Sequence, residues 1–217
     1  MTVSIETTSR KYRGRKAATY EQIRKKQERW HEENTVVERW LTQLHPRSVL
    51  DVPVGTGRFF GIYKKLGVLR VAGVDCSDEM LALARKKLRG ETVLTEFKHG
   101  YQALDSGDGK KRIWYLQQGD ARNLKDFKKL DVAVCVRFLD LIDEKAMHQV
   151  VNQLCDHASY VICTIRFGEK YKPKSNTAEH DRKKFMLHLT KLGFAVEEEH
   201  PIFNQGWNVL LLKRRGT

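Results

Sequence analysis

Long apolar runs are missing from this chain. No stretch approaches the ~20 residues that a membrane-spanning helix needs, and the opening MTVSIETTSR has no apolar core of a secretion signal. Cysteine is scarce: Cys76, Cys135, Cys155 and Cys163 include no C-x-x-C pair. That spacing argues against a disulfide framework or a zinc site, and a reducing, cytoplasmic setting is the expectation. Cys135 and Cys163 fall in strand-like runs and read as buried. No internal repeat is visible, which sets solenoids and propellers aside. Acidic residues are outnumbered, 27 against 40 Lys and Arg, for a formal net charge of +13. Such a surface attracts polyanions without identifying a substrate.

What is present fits one domain of 217 residues with an ordinary apolar content of 41%. Residues 1–19 are polar, with RKYRGRKA as a basic, flexible arm or a merely solvated tail. Residues 20–47 turn helical: Ile23, Trp30, Val37 and Leu41 recur at helical spacing, with a break expected near HEENT. This segment is expected to form a lid over a domain spanning 48–217. From Ser48 onward strand and helix alternate. SVLDVP is a strand, GRFFGIYKKLG a helix stopped by Gly67, and VAGVD a strand. Ser77 caps the next helix, which buries Met80, Leu81 and Ala84. IWYLQQ, DVAVCV and YVICTIRF are further strands. Asp143 opens a helix reaching about Cys155, and another is expected from about Ala178 to Leu192. FAVEEEH and WNVLLLKRR close the chain as an antiparallel pair. The whole predicts an α/β, Rossmann-like, seven-stranded, mostly parallel sheet with helices on both faces, in three layers. Ligands of such sheets bind beyond the carboxyl ends of the strands, which lines up Asp51, Asp75, Asp120 and Arg137.

The glycines of DVPVGTGRFF do not make a phosphate loop, because no Gly-Lys-Ser/Thr follows. Phe60 stands where a dinucleotide fingerprint needs its third glycine. Asp51 near the loop would repel a diphosphate and suit an ammonium group. Asp75, twenty-four residues on, closes an apolar strand and can accept both hydroxyls of a ribose.

VLDVPVGTG, GVDCSDEML, GDA and VCVRFLDLI, in that order, resemble the class I S-adenosylmethionine-dependent methyltransferases over roughly residues 48–215. The resemblance implies a methyltransferase that uses S-adenosylmethionine. It places Asp51, Pro53, Gly55, Gly57, Asp75, Cys76, Asp120 and Ala121 around the donor, with Asp51 near the amino group and Asp120 and Ala121 at the adenine. Each has a structural alternative. Asp51 could cap the following helix, the glycines could simply allow a tight turn, and GDARNL could be only a turn. Met80 either lines the adenosine pocket or fills the core. Arg137 follows an apolar strand and must be paired, with the donor's carboxylate, with an acceptor, or with Asp140 or Asp143. Trp30 either covers the donor or anchors the core.

Methyl transfer from a sulfonium needs alignment more than acid–base help, so the catalytic set stays unknown, with Arg137 and His31 as candidates. His31 could act as a base at neutral pH or be an exposed helix residue. VRFLDL replaces the Asn/Asp-Pro-Pro-aromatic segment of enzymes that methylate exocyclic base amines. An oxygen or nitrogen acceptor remains, on RNA, DNA or an acidic small molecule. Lys170, Tyr171, Lys172 and Lys174 form a basic loop suited to phosphates. A non-catalytic binding module and cleavage of the sulfonium by another route are the rival functions.

Overall fold

The computed structural model describes residues 15–95, 112–124, 127, 129–168, 177–202 and 206–216. Among the described residues two helices precede the sheet, α1 (Arg15–Arg24) and α2 (Glu28–Leu44). The break lies at residues 25–27, and HEENT continues the helix because it contains neither glycine nor proline. Helical structure therefore begins inside the segment expected to be a flexible arm. The α2 helix stops at His45, whose left-handed backbone (φ 44°) lets its N–H return to the Leu41 carbonyl ahead of Pro46.

Then follow β1 (Ser48–Asp51), α3 (Phe60–Lys65), β2 (Arg70–Asp75), α4 (Asp78–Lys86), β3 (Thr92–Leu94), β4 (Ile113–Gln118) and β5 (Leu130–Cys135). A short 3-10 turn (Leu139–Leu141), α5 (Glu144–His157), β6 (Ala158–Arg166), α6 (Arg182–Lys191), β7 (Phe194–Ile202) and β8 (Trp207–Arg214) complete the chain. The sheet has eight strands in the order β3-β4-β2-β1-β5-β6-β8-β7. Neighbours from β3 to β6 are parallel, while β8 pairs antiparallel with both β6 and β7. The strand beyond the expected seven is β3, three residues too short to announce themselves by periodicity. The last helix starts at Arg182, later than expected. Asp181 caps it through the Lys184 N–H, and His180 is held extended by a bridge to Phe167.

Strand alternation divides the core in two. Leu50, Ala72, Ala133, Cys135 and Cys163 face the layer made by α5 and α6. Val49, Val71, Val132, Val134 and Ile162 face α2, α3 and α4. Val36, Val37, Trp40 and Leu41 are fully part of that second core. So α2 is a wall of the domain, and only α1 stands at the mouth as a cover. Among the described residues no helix is long and apolar enough to cross a membrane.

Candidate active site

A cleft with about 500 Å³ of empty volume opens at the carboxyl ends of β1, β2 and β5. Its lining joins Pro53 and Gly55 after β1, Asp75 and Cys76 at the end of β2, Met80 on α4, Val136 to Phe138 and Leu141 after β5, and Tyr20 from α1. Parallel register sets this up: Asp51, the last residue of β1, lies level with Gly73 on one side and Val134 on the other, so β2 reaches two residues and β5 one residue beyond it.

At the β2 end, Asp75 organises the loop. Its Oδ2 accepts the Gly55 N–H at 2.8 Å and its Oδ1 accepts the Ser77 N–H at 2.9 Å. Gly55 needs its left-handed backbone (φ 54°), and a Cβ there would meet only the Met80 Cε at 3.9 Å, facing open cleft. Burial pushes the Asp75 carboxyl up to about 6, against the pull of backbone N–H groups from Ser77, Gly55 and Cys76. Asp51 is deeper. Its Oδ2 accepts the Tyr63 hydroxyl at 3.0 Å, and burial raises its carboxyl to about 7, with nearby Asp75 adding to the rise.

At the β5 end stands a cluster built from three elements. Glu33 on α2 has no exposed surface and receives Arg29 Nε at 2.6 Å, Arg58 Nη1 at 2.8 Å and Arg137 Nε at 2.7 Å. Burial alone would raise the Glu33 carboxyl, but Arg29, Arg137 and Arg58 outweigh it and hold it below the ordinary value. Arg137 is clamped further: its Nη1 donates to Gln27 Oε1 and its N–H to the Thr164 hydroxyl. It adopts a left-handed backbone (φ 60°), a conformation that costs roughly 1 kcal/mol or more outside glycine. Its ion-pair partner is Glu33, and not Asp140 or Asp143, the structural alternatives that the sequence offered. Asp143 caps α5 through the Ala146 N–H, and Asp140 accepts the Trp207 indole N–H.

Several expected site residues lie elsewhere. Gly57 is outside the lining; a Cβ there would fall 2.4 Å from the Phe60 ring, so it is a packing glycine. Asp120 is tied to Arg122 and Ala121 is buried in the core with Leu124 and Phe127, both outside the lining. Trp30 is buried beneath the Arg58 guanidinium, 3.8 Å from its ring, with the Arg137 guanidinium 5.8 Å away, and is outside the cleft lining. His31 is on the exposed side of α2, where its ring bonds the Lys25 carbonyl. Lys170, Tyr171, Lys172 and Lys174 fall outside the described residues. The sequence reading missed Tyr20, Tyr63 and Glu33. Only Glu33 left a trace, as a carboxylate three residues after Trp30 and four before Val37 on the apolar stripe.

The profile of a methyltransferase-domain family matches residues 50–160. The chain belongs to that family, the class I S-adenosylmethionine-dependent methyltransferases, and S-adenosylmethionine is its methyl donor. No curated protein matched it in sequence. Many solved structures share the fold. The magnesium protoporphyrin IX methyltransferase (ChlM) of Synechocystis PCC 6803 with bound donor is 17% identical, with a TM-score of 0.70 over 97% of this chain and 96% of that one. CalS10, an amino pentose methyltransferase from Micromonospora echinaspora, is 15% identical with a TM-score of 0.63 over 85% and 91%. An S-adenosylmethionine-dependent methyltransferase from Clostridium acetobutylicum is 14% identical, with a TM-score of 0.60 over 86% and 92%.

The cleft suits that donor. It offers a buried carboxylate with oxygen lone pairs left for hydroxyl donors at Asp75, and an open face where Gly55 lacks a Cβ.

Proposed function

We propose that this enzyme moves a methyl group in line onto an oxygen or nitrogen of a small molecule. S-adenosylmethionine, when bound, supplies a methyl already activated on a sulfonium. Asp75 receives the ribose hydroxyls, Asp51 faces the amino group, Pro53, Gly55, Cys76 and Met80 line the donor end, and Tyr20 covers the mouth. The work left to the protein is alignment of the acceptor and exclusion of water. The observation that carries this reading is the continuous cleft that runs from Asp75 and Gly55 to Arg137 and Leu141, with Tyr20 of α1 in its lining.

A nucleic-acid acceptor rests on the net charge of +13 and on a basic loop outside the described residues. The cleft, with Tyr20 of α1 at its mouth, favours a small acceptor, and the similar structures include enzymes named for a magnesium porphyrin and an amino pentose. The test is incubation with donor labelled in the methyl group and fractionated cell extract. Label is expected in the small-molecule pool. Label in RNA or DNA would overturn this choice of acceptor, and donor breakdown with no acceptor present would point to cleavage of the sulfonium.

A further inference from the structure

Among the described residues, the β5 end of the cleft holds more positive charge than its own acids neutralise. Arg24, Arg29, Arg58 and Arg137 gather there. Glu33 is shared by the last three, and Asp140 lies 3.7 Å from Arg29 Nη2. Arg24 and Arg137 are joined by the neutral Gln27, whose Oε1 accepts from both guanidiniums. The Arg24 guanidinium in turn lies 5.3 Å from the ring of Tyr20, at the cleft mouth. Arg137 lines the cleft with its side chain 8% exposed, and its Nη2 is buried without a hydrogen-bond partner among the described residues. A buried guanidinium nitrogen left unpaired is costly unless a ligand completes it.

The donor does not remove this imbalance. Its sulfonium and ammonium outnumber its one carboxylate, so its arrival adds a positive charge to the cleft. An anionic second ligand would balance it.

Taking the methyltransferase reading as given, we propose that the acceptor is an anion whose carboxylate or phosphate docks on Arg137 Nη2, beside Arg24. The oxyanion anchors the acceptor and leaves another atom to receive the methyl group. Arg137 is then a specificity residue. Its Nε and Nη1 are held by Glu33 and Gln27, and this presents Nη2 in a fixed direction.

The experiment uses the full chain saturated with S-adenosylhomocysteine, titrated with benzoate, phenyl phosphate and benzamide at constant ionic strength. At least one of the two anions is expected to bind about tenfold or more tightly than the neutral amide, as charge-assisted bonds exceed neutral ones. The preferred one identifies the oxyanion. Arg137→Gln should erase the preference, Arg137→Lys should keep part of it, and donor affinity should change by less than about threefold in both. Equal binding of all three probes by the parent would overturn the proposal whatever the variants do. So would an Arg137→Lys protein that folds and loses donor affinity as steeply as anion affinity, because the donor's own carboxylate would then occupy Nη2. A parent that fails to bind S-adenosylmethionine would sink the methyltransferase reading itself, a separate result.

Discussion

The two ends of the cleft solve opposite electrostatic problems. At the β2 end, Asp51 and Asp75 are buried with neutral partners, a tyrosine hydroxyl and backbone N–H groups, and both carboxyls rise toward neutrality. At the β5 end, one glutamate is surrounded by three guanidiniums and stays ionised. The first arrangement leaves acids in want of a cation and of hydroxyl donors, which suits a cationic donor with a ribose. The second leaves guanidinium nitrogens in want of an anion. On the proposed reading, a cleft polarised in this way would orient a donor and an acceptor before any base is needed.

The sharpest way to break the comparison is at Glu33. Glu33→Ala leaves Arg29, Arg58 and Arg137 buried without their shared acid and separates α2 from both the glycine loop and β5. A loss of about 3–5 kcal/mol of stability is expected, read as a lower midpoint in urea unfolding. A change under about 1 kcal/mol would show the cluster to be solvated and weak.

The two loop glycines give the next test. Gly57→Ala places a methyl group against the Phe60 ring at a left-handed backbone (φ 72°), and should cost roughly 1–3 kcal/mol of stability. Gly55→Ala meets open cleft and should register chiefly as weaker donor binding. Reversed effects in thermal unfolding and donor titration would exchange the roles assigned to the two glycines.

Smallest is the effect of pH. Asp51 at about 7 and Asp75 at about 6 lie above the ordinary carboxylate range because of burial. The folded, ligand-free protein therefore holds protons that the unfolded chain has lost, and their contribution to stability falls as pH rises from about 4 to 7. A cationic donor selects the ionised carboxylates, so its affinity should move the other way, weakening about tenfold from pH 7.5 to 6 with proton release on binding. Calorimetry in buffers of different ionisation enthalpy measures that release. Its absence at pH 6.5 would place the ammonium group away from Asp51.

The two ends also differ in how far the sequence reveals them. The β2 end is written in one contiguous stretch. Asp51, Gly55, Asp75, Ser77 and Met80 are close along the chain, and their strand–loop–helix order implies their meeting. The β5 end joins Glu33 to Arg137 across 104 residues and Gln27 to Arg137 across 110. No local pattern predicts which acid meets which arginine, so Asp140 and Asp143 looked equally able. Helical spacing marked Trp30 as apolar-facing but could not say whether that face met core or cleft. It met neither: Trp30 is buried under Arg58 and close to Arg137, while Val36, Val37 and Trp40 carry the packing of α2 against the sheet. Gly57 shows the same limit within the readable half, since the clash that requires it comes from the Phe60 ring and not from a ligand.

The central claim is that the β2 end holds the donor through Asp75. It is tested most directly by calorimetric titration of S-adenosylmethionine and S-adenosylhomocysteine into the parent, Asp75→Asn and Asp75→Ala. Asp75→Ala should weaken both ligands by roughly 2–3 kcal/mol, as charge-assisted hydrogen bonds to hydroxyls and to the Gly55 loop are lost, and Asp75→Asn should cost less. Parent-like affinity for both ligands in both variants would contradict the account.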